Sequence, residues 1–327
     1  MVASLRAGHG GTVGGTWGSA SALTVAALVR GTGSAASRPP LVVVLPHAAE
    51  AEAFCDDLVV FSDIAHALLP PLESFGEEPT TVAEPAEAVR LALVKQLALQ
   101  VEPRPVVVVA SIQALLAPLP DPRDVQAGTR HLTVGGRLDP EELADWLAAC
   151  GWQAADAIDS PGTFARRGGI IDLFAADWDR PVRLELFGDE IESLRTFDTV
   201  SQRSVATLDA IELTALAATS AARHAHLSDL LPPGSIVAFV EPAEVLEEAN
   251  RMHGRLATAR LFAPDDVLAR LRRFPSVTLS ALAASSLEAT ATLAIESVER
   301  FTGVLDRVTQ ELETVGKDQE VWVVAPS

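Results

Sequence analysis

The sequence predicts an α/β protein in which a parallel sheet is laid down in two segments around a small inserted α+β domain. Three observations carry that expectation. Leu41-Val42-Val43-Val44-Leu45 and Val106-Val107-Val108-Val109 are unbroken apolar runs, the pattern of strands covered on both faces, and the helical stretches between them supply the long crossovers that parallel strands need. After the breaker Leu119-Pro120-Asp121-Pro122 the Ala/Leu-rich style gives way to Gly, charge and short alternating runs, and near residue 212 the opening style returns. Finally, Gly15-Thr16-Trp17-Gly18-Ser19-Ala20-Ser21-Ala22 keeps the outline of a phosphate-binding loop, G-x-x-x-x-G-K-[ST], with three of its four working residues replaced.

Such a loop uses its second Gly for close backbone approach, its Lys for the β- and γ-phosphates and its Ser or Thr for the metal; Ala20, Ser21 and Ala22 stand there instead. The outline is that of a degenerate P-loop, kept as scaffold without its chemistry. It points away from catalysis in this chain and toward recognition of another macromolecule.

The elements follow in order. The Gly-rich run 8–18 reads as a flexible N-terminus leading to a tight turn, and residues 22–29 as an Ala/Leu-rich helix. Pro39-Pro40 closes the connection to the strand at 41–45. Residues 48–61 and about 85–99 carry apolar positions at helical spacing, and Pro105 introduces the strand at 106–109. In the middle, 131–134 leads through Gly135-Gly136 to Asp139-Pro140-Glu141-Glu142. A capping Asp, a Pro at the first helical position and acidic residues at the positive end of the dipole predict a helix that ends near Gly151. Trp146 and Trp152 are placed to staple that helix to its sheet. Residues 169–174 and 182–187 read as strands, the second alternating cleanly up to a turn at Gly188-Asp189. The last third offers a strand at 235–240, helices at about 242–256 and 297–315, and a closing strand at 320–327. Three segments result: 1–116, the first part of the degenerate P-loop domain; 117–211, the inserted domain; and 212–327, the second part. A terminal strand with no helix after it reads as a truncated chain or as the front end of a longer polypeptide.

Composition narrows the function. With 44 acidic against 25 basic residues the formal charge is −19, which repels a phosphate backbone over most of the surface and argues against strong autonomous DNA binding. Cys55 and Cys150 match no metal-ligand spacing and read as reduced thiols, with no disulfide and no structural zinc. A single Arg followed by Gly-rich sequence is not a secretory signal, and the longest apolar runs have strand length, so no membrane partner is expected and a soluble, cytoplasmic protein is. His224-Ala225-His226 lacks the spacing of a helical metal pair and reads as surface histidines. Asp189-Glu190 imitates a magnesium-binding Asp-Glu pair but follows a turn glycine, with no P-loop lysine to complete a site. No cofactor is expected for this chain.

The block Gly162-Thr163-Phe164-Ala165-Arg166-Arg167-Gly168-Gly169-Ile170-Ile171-Asp172-Leu173-Phe174, with the stretch 181–198 after it, resembles the domain shared by the excinuclease subunit UvrB and the bacterial transcription-repair coupling factors. Between the two the degenerate loop chooses, since UvrB keeps an intact Gly-Lys-Thr while the coupling factor's N-terminal module resembles UvrB with its nucleotide site lost. The resemblance is dense from about 160 to 205 and diffuse elsewhere. It implies a UvrB-like fold and a non-catalytic docking role, in which the inserted domain presents to UvrA the surface that UvrB also uses and recruits it to stalled RNA polymerase in transcription-coupled nucleotide excision repair. By matching positions, the UvrA-contacting arginines fall on Arg167 and Arg183 and the aromatic contact on Phe187; Leu186 stands where an aromatic is usual. RNA polymerase and DNA would be held by parts absent from this chain. ATP and Mg2+ would belong to the motor domains of a full-length, ATP-dependent DNA translocase. The alternatives are an ATP-binding UvrB-type excinuclease or helicase fragment, whose loop would hold nucleotide through its backbone, and a structural module whose surface packs on the rest of its own chain.

The residues of the block agree in kind. Along 182–187, Val182, Leu184 and Leu186 take one face and Arg183, Glu185 and Phe187 the other. An aliphatic core face leaves Arg183 and Phe187 outward together, the composition of an interface hot spot. Residues 160–203 hold six arginines against eight acidic side chains, closer to neutral than the whole chain, which suits a protein partner better than nucleic acid. The competing expectation is a solvated hairpin in which the arginines pair with Asp189, Glu190 and Glu192.

Overall fold

The unbroken apolar runs have a direct structural cause: they lie in a sheet covered on both sides. The computed structural model describes residues 1–32, 39–72, 85–216, 224–256, 261–282 and 289–294. Residues 1–293 make one unit, and of a second, 294–327, only Ala294 is described. The helix expected at 297–315 and the strand at 320–327 lie outside the described residues.

The large domain begins with α1 (Val2–Arg6), β1 (Gly11–Gly14), α2 (Ala20–Gly31), β2 (Leu41–Leu45), α3 (Ala48–Phe61), β3 (His66–Leu69), α4 (Pro85–Ala98), β4 (Val107–Ser111), α5 (Ile112–Leu116), β5 (Leu119–Pro120) and α6 (Pro122–Ala127). The insertion follows as β6 (Thr129–Thr133), α7 (Pro140–Ala149), β7 (Gln153–Ala154), β8 (Thr163–Arg167), β9 (Ile170–Phe174), β10 (Val182–Phe187), β11 (Glu190–Phe197), β12 (Ser204–Leu208) and β13 (Ala210–Thr214). The chain returns with β14 (His224–Ala225), α8 (Leu227–Leu230), β15 (Ile236–Val240), α9 (Pro242–Arg255), α10 (Pro264–Leu271), β16 (Ser276–Ser280) and β17 (Ala289–Thr292).

Seven strands form the large sheet in the order β17-β1-β16-β15-β2-β4-β3, every neighbouring pair parallel. Alternate side chains of each central strand go to opposite layers. Val42, Val44, Val108 and Ala110 meet α4, α5, α9 and α10, while Leu41, Val43, Leu45, Val107 and Val109 meet α2 and α3. Neither face is polar because neither meets water.

Three local expectations change. The Gly-rich run is not a flexible lead-in, for Gly11–Gly14 is a fully buried strand lying between β16 and β17. Glycines carry no alternating hydropathy, so the strand left no pattern to read. Leu119 and Val125, placed with the insertion by composition, sit in the large domain's core, and the chain crosses into the insertion at β6, which pairs antiparallel with the returning β13. Arg90, 2% exposed, ties α4 to the end of β3 and to the turn after α5 within the large domain: its Nη1 donates to the carbonyls of Pro70 and Ala114, and its Nη2 to those of Ala117 and Pro118, at 2.8, 3.3, 2.9 and 2.9 Å. A second tie is ionic, Lys95 Nζ on α4 lying 2.6 Å from Asp177 Oδ2 in the β9–β10 connection, both side chains 6% exposed.

The third change concerns His226. It is not at the surface but fully buried, capping α8 by accepting a hydrogen bond from the Ser228 amide at 3.1 Å, with its ring edge-on to Phe262; His224 alone of the pair is exposed. Burial pushes its pKa down to about 4. The folded chain therefore keeps it neutral where the unfolded chain takes up a proton near its ordinary value of about 6.5. Stability is expected to fall as pH drops from about 6.5 toward 4, by up to about 3 kcal/mol, and to be indifferent to this group above that window. Urea midpoints measured across pH 4 to 7 should show that slope in the wild type and a flatter one in His226→Asn, which keeps a capping side chain.

Candidate docking face

Two places drew attention in the sequence, and the fold treats them differently. The loop expected from the sequence to be a degenerate phosphate loop joins the end of β1 to the start of α2. Gly15 and Gly18 both have left-handed φ, +76° and +50°. The loop is, however, turned in on itself. The amides of Gly15 and Thr16 donate to the carbonyls of Ala281 and Ser280, at 3.2 and 3.1 Å. Ser21, at the lysine's place, is 4% exposed and donates from Oγ to the carbonyl of Thr16 at 3.1 Å. Ala20 is buried, and Ala22, at the metal ligand's place, is fully buried in the core between α2 and the sheet. A Cβ added to Gly15 would lie 2.2 Å from the carbonyl oxygen of Leu293, so this glycine answers to crowding by neighbouring backbone. Among the described residues no group of three or more His, Cys, Asp or Glu side chains is arranged to hold a metal ion. Nor is any helix among them long and apolar enough to cross a membrane.

The insertion presents the second place. Its sheet runs β12-β11-β10-β9-β8-β7. One face packs Phe164, Ile171, Leu173, Val182, Leu184, Ile191 and Leu194 onto Leu143 and Leu147 of α7, side chains one helical turn apart. Trp146 and Trp152 pack against the same core, and the Arg130 guanidinium sits 4.3 Å above the Trp146 ring. Asp139 caps the helix by accepting from the amides of Glu141 and Glu142 at 2.8 and 3.2 Å.

The opposite face is set by cross-strand register. Arg183 stands opposite Asp172 on one side and Arg195 on the other; Ile170 stands between Arg167 and Glu185. Phe187 follows at the end of β10, opposite Glu190 across the turn at Gly188. Two hairpin tips thus lie side by side, joined by a 2.7 Å hydrogen bond from the Leu186 amide to the carbonyl of Gly169. Gly169 permits that approach, for a Cβ there would come 2.9 Å from the Leu186 oxygen. Phe187 is 79% exposed and Ile170 38%. The loop before α7 holds the second tip in place. Leu138 N donates to Asp189 O, Ile191 N to Gly136 O and Gly135 N to Ile191 O, each at 2.8 Å, and Arg137 pairs with Asp189 at 3.0 Å.

The two arginines singled out in the sequence sit in different settings. Arg167 is exposed, its Nη2 donating to the carbonyl of Asp156. Arg183 lies on the outer face but not free in solvent. Its side chain is 20% exposed, Nε and Nη2 donate to the two oxygens of Asp172 at 2.7 and 2.8 Å, and its guanidinium covers the Phe197 ring at 4.7 Å. That ion pair holds the guanidinium charged and its pKa above the ordinary value. The arginine that meets the hairpin acid Asp189 is Arg137. Sequence reasoning missed Asp172, Ile170 and Phe197; the opposed charges of Asp172 and Arg183 on neighbouring strands were the available sign.

The small sheet, its packed helix and most of the β6–β13 pair fall within a stretch, residues 131–218, that matches a family model described as the UvrB interaction domain. Residues 131–218 are a UvrB interaction domain. Along more of its length the chain is similar to the transcription-repair-coupling factor of Bacillus subtilis (strain 168), 31% identical over 197 residues, which is 60% of this chain and 16% of that protein. To the transcription-repair-coupling factor of Myxococcus xanthus it is 34% identical over 218 residues, 65% of this chain and 18% of that one. The UvrABC system protein B of Thermosipho africanus (strain TCF52B) is 30% identical over 145 residues, 44% of this chain and 21% of the other. The chain thus spans only a small part of the curated relatives it matches.

The two faces of β10 in the UvrB interaction domain should respond differently to truncation. Leu184→Ala, at a buried position, is expected to cost about 2–5 kcal/mol in denaturant unfolding, whereas Phe187→Ala should stay within about 0.5 kcal/mol of wild type.

Proposed function

We propose that this chain is a non-catalytic, UvrB-like module of a transcription-repair coupling factor, acting in nucleotide excision repair by docking UvrA through the outer face of its UvrB interaction domain. The observation that supports the reading best is a phenylalanine 79% exposed at a hairpin tip that three backbone hydrogen bonds hold in place, on the same sheet face as Arg167, Ile170 and Arg183. An ordered, solvent-facing aromatic on a sheet face that also carries guanidinium groups loses little freedom on binding and has apolar area to bury, which is the make-up of a hot spot. The similarities point the same way, joining a UvrB interaction domain to transcription-repair-coupling factors and UvrABC system protein B among the relatives.

In this reading the recruited UvrA is brought to stalled RNA polymerase, and contacts with polymerase and DNA belong to parts of a longer protein. ATP and Mg2+ would serve motor domains there, and no cofactor serves this chain, which would act in the cytoplasm. The rival, an ATP-binding UvrB-type fragment, draws on the UvrB relatives but has less support at its own loop. There the amides of Gly15 and Thr16 are engaged by backbone carbonyls and Ser21 points inward in place of a cation.

Calorimetric titration of the chain with UvrA tests the proposal. Binding should weaken by on the order of tenfold or more in Phe187→Ala and in Arg167→Glu, while titration with Mg-ATP should give no heat. Unchanged UvrA affinity in both variants, or micromolar magnesium-dependent ATP binding, would contradict it.

A further inference from the structure

Asp172 is 5% exposed on β9, in a part of the outer sheet face that Ala165, Phe197 and Ile158 keep from water. Its two carboxylate oxygens accept from Nε and Nη2 of Arg183, the side-on fork, at 2.7 and 2.8 Å. The Phe197 ring, fully buried, lies under the same guanidinium, and Gln202 Oε1 accepts from Nη2 at 3.3 Å. Three sides of the group are therefore fixed: one edge by the carboxylate, one flat face by the ring and the outer corner by the amide. The remaining nitrogen, Nη1, has no hydrogen-bond partner among the described residues, and in a side-on fork it points away from the carboxylate. The side chain keeps one fifth of its surface exposed.

We infer that Asp172 is a positioning residue for docking: it orients the guanidinium of Arg183 so that Nη1 is offered from the sheet face as a fixed hydrogen-bond donor to a carboxylate or carbonyl oxygen of UvrA. This rests on the docking proposal above and adds a division of labour to it. Asp172 already neutralises Arg183, so that arginine contributes direction more than charge. Arg167, exposed and facing no carboxylate in the cross-strand register, contributes long-range attraction. A guanidinium held in its binding orientation before encounter has less freedom to lose than one swinging in solvent. Loosening it should cost affinity although Asp172 itself touches nothing outside the domain.

The test is UvrA binding by calorimetry on the full chain, with wild type, Asp172→Asn, Arg183→Ala, the double variant and Arg183→Lys. Asp172→Asn is expected to bind roughly tenfold more weakly, Arg183→Ala at least as weakly, and the double variant no more weakly than Arg183→Ala alone, because Asp172 acts only through Arg183. The Nε–H resonance of Arg183 should be resolved and protected from exchange in the free wild type and lost in Asp172→Asn, a readout that general loss of stability would not mimic in a folded variant. Should Asp172→Asn fail to fold, Arg183→Lys carries the test: it keeps the charge and loses the fork, and should bind as weakly as Arg183→Ala. Wild-type affinity in folded Asp172→Asn or in Arg183→Lys overturns the inference while leaving the docking proposal standing. So does an Asp172→Asn loss that persists undiminished beside Arg183→Ala. Absence of UvrA binding by the wild type overturns both.

Discussion

The constraint on which the rest depends is a sheet whose inner face is sealed by a helix, while its outer face, closed to water around Ala165, Asp172 and Phe197, carries the exposed side chains of the hairpin tips. In the UvrB interaction domain α7 covers the inner face, drawing Leu173, Val182, Leu184, Leu194 and their neighbours out of water. Because side chains alternate along a strand, sealing that face commits Arg167, Ile170 and Arg183 to the opposite one, with Phe187 following at the tip past a register irregularity at Glu185–Leu186. No separate device is needed to expose them. Shifting the pairing by a single residue would exchange the two faces, so the hydrophobic core and the candidate docking face are specified by the same register.

That face is also held relative to the large domain. The insertion leaves and returns through paired strands β6 and β13, and Lys95 on α4 meets Asp177 of the insertion where almost no water reaches. A buried ion pair is weak evidence for net stability, since desolvating both charges costs about as much as their attraction returns. Its firmer consequence is geometric: a long swing of the insertion would strand a charge in an apolar place. In the large domain the β1–α2 loop turns its donors inward, Gly15 and Thr16 to backbone carbonyls and Ser21 to its own loop.

Much of this was legible in the sequence, for physical reasons. Leu41–Leu45 is a strand to the residue, and Asp139 caps α7 as its Asp-Pro-Glu-Glu setting requires. The alternation from Val182 to Leu186 correctly separated core from outer face, and Trp146 and Trp152 pack where a staple was expected. Buried β1 left no trace because glycine has no side chain to alternate. His226 was misplaced because its burial depends on Phe262, distant in sequence, and on a cap that only the fold creates. Arg183 was placed on the correct face but in the wrong company. It was expected outward beside Phe187, the competing expectation being a pair with the hairpin acids; strand register gave it Asp172 instead, leaving Asp189 to Arg137.

The central claim is that UvrA lands on the outer face of the small sheet, at its two hairpin tips. Hydrogen exchange of the chain with and without saturating UvrA tests it most directly. The account predicts slowed exchange concentrated in β8, β9 and the β10–β11 tip around Gly188, with α2 and the β1–α2 loop unaffected. Protection confined to the large domain, or none in the tips despite binding, would contradict it.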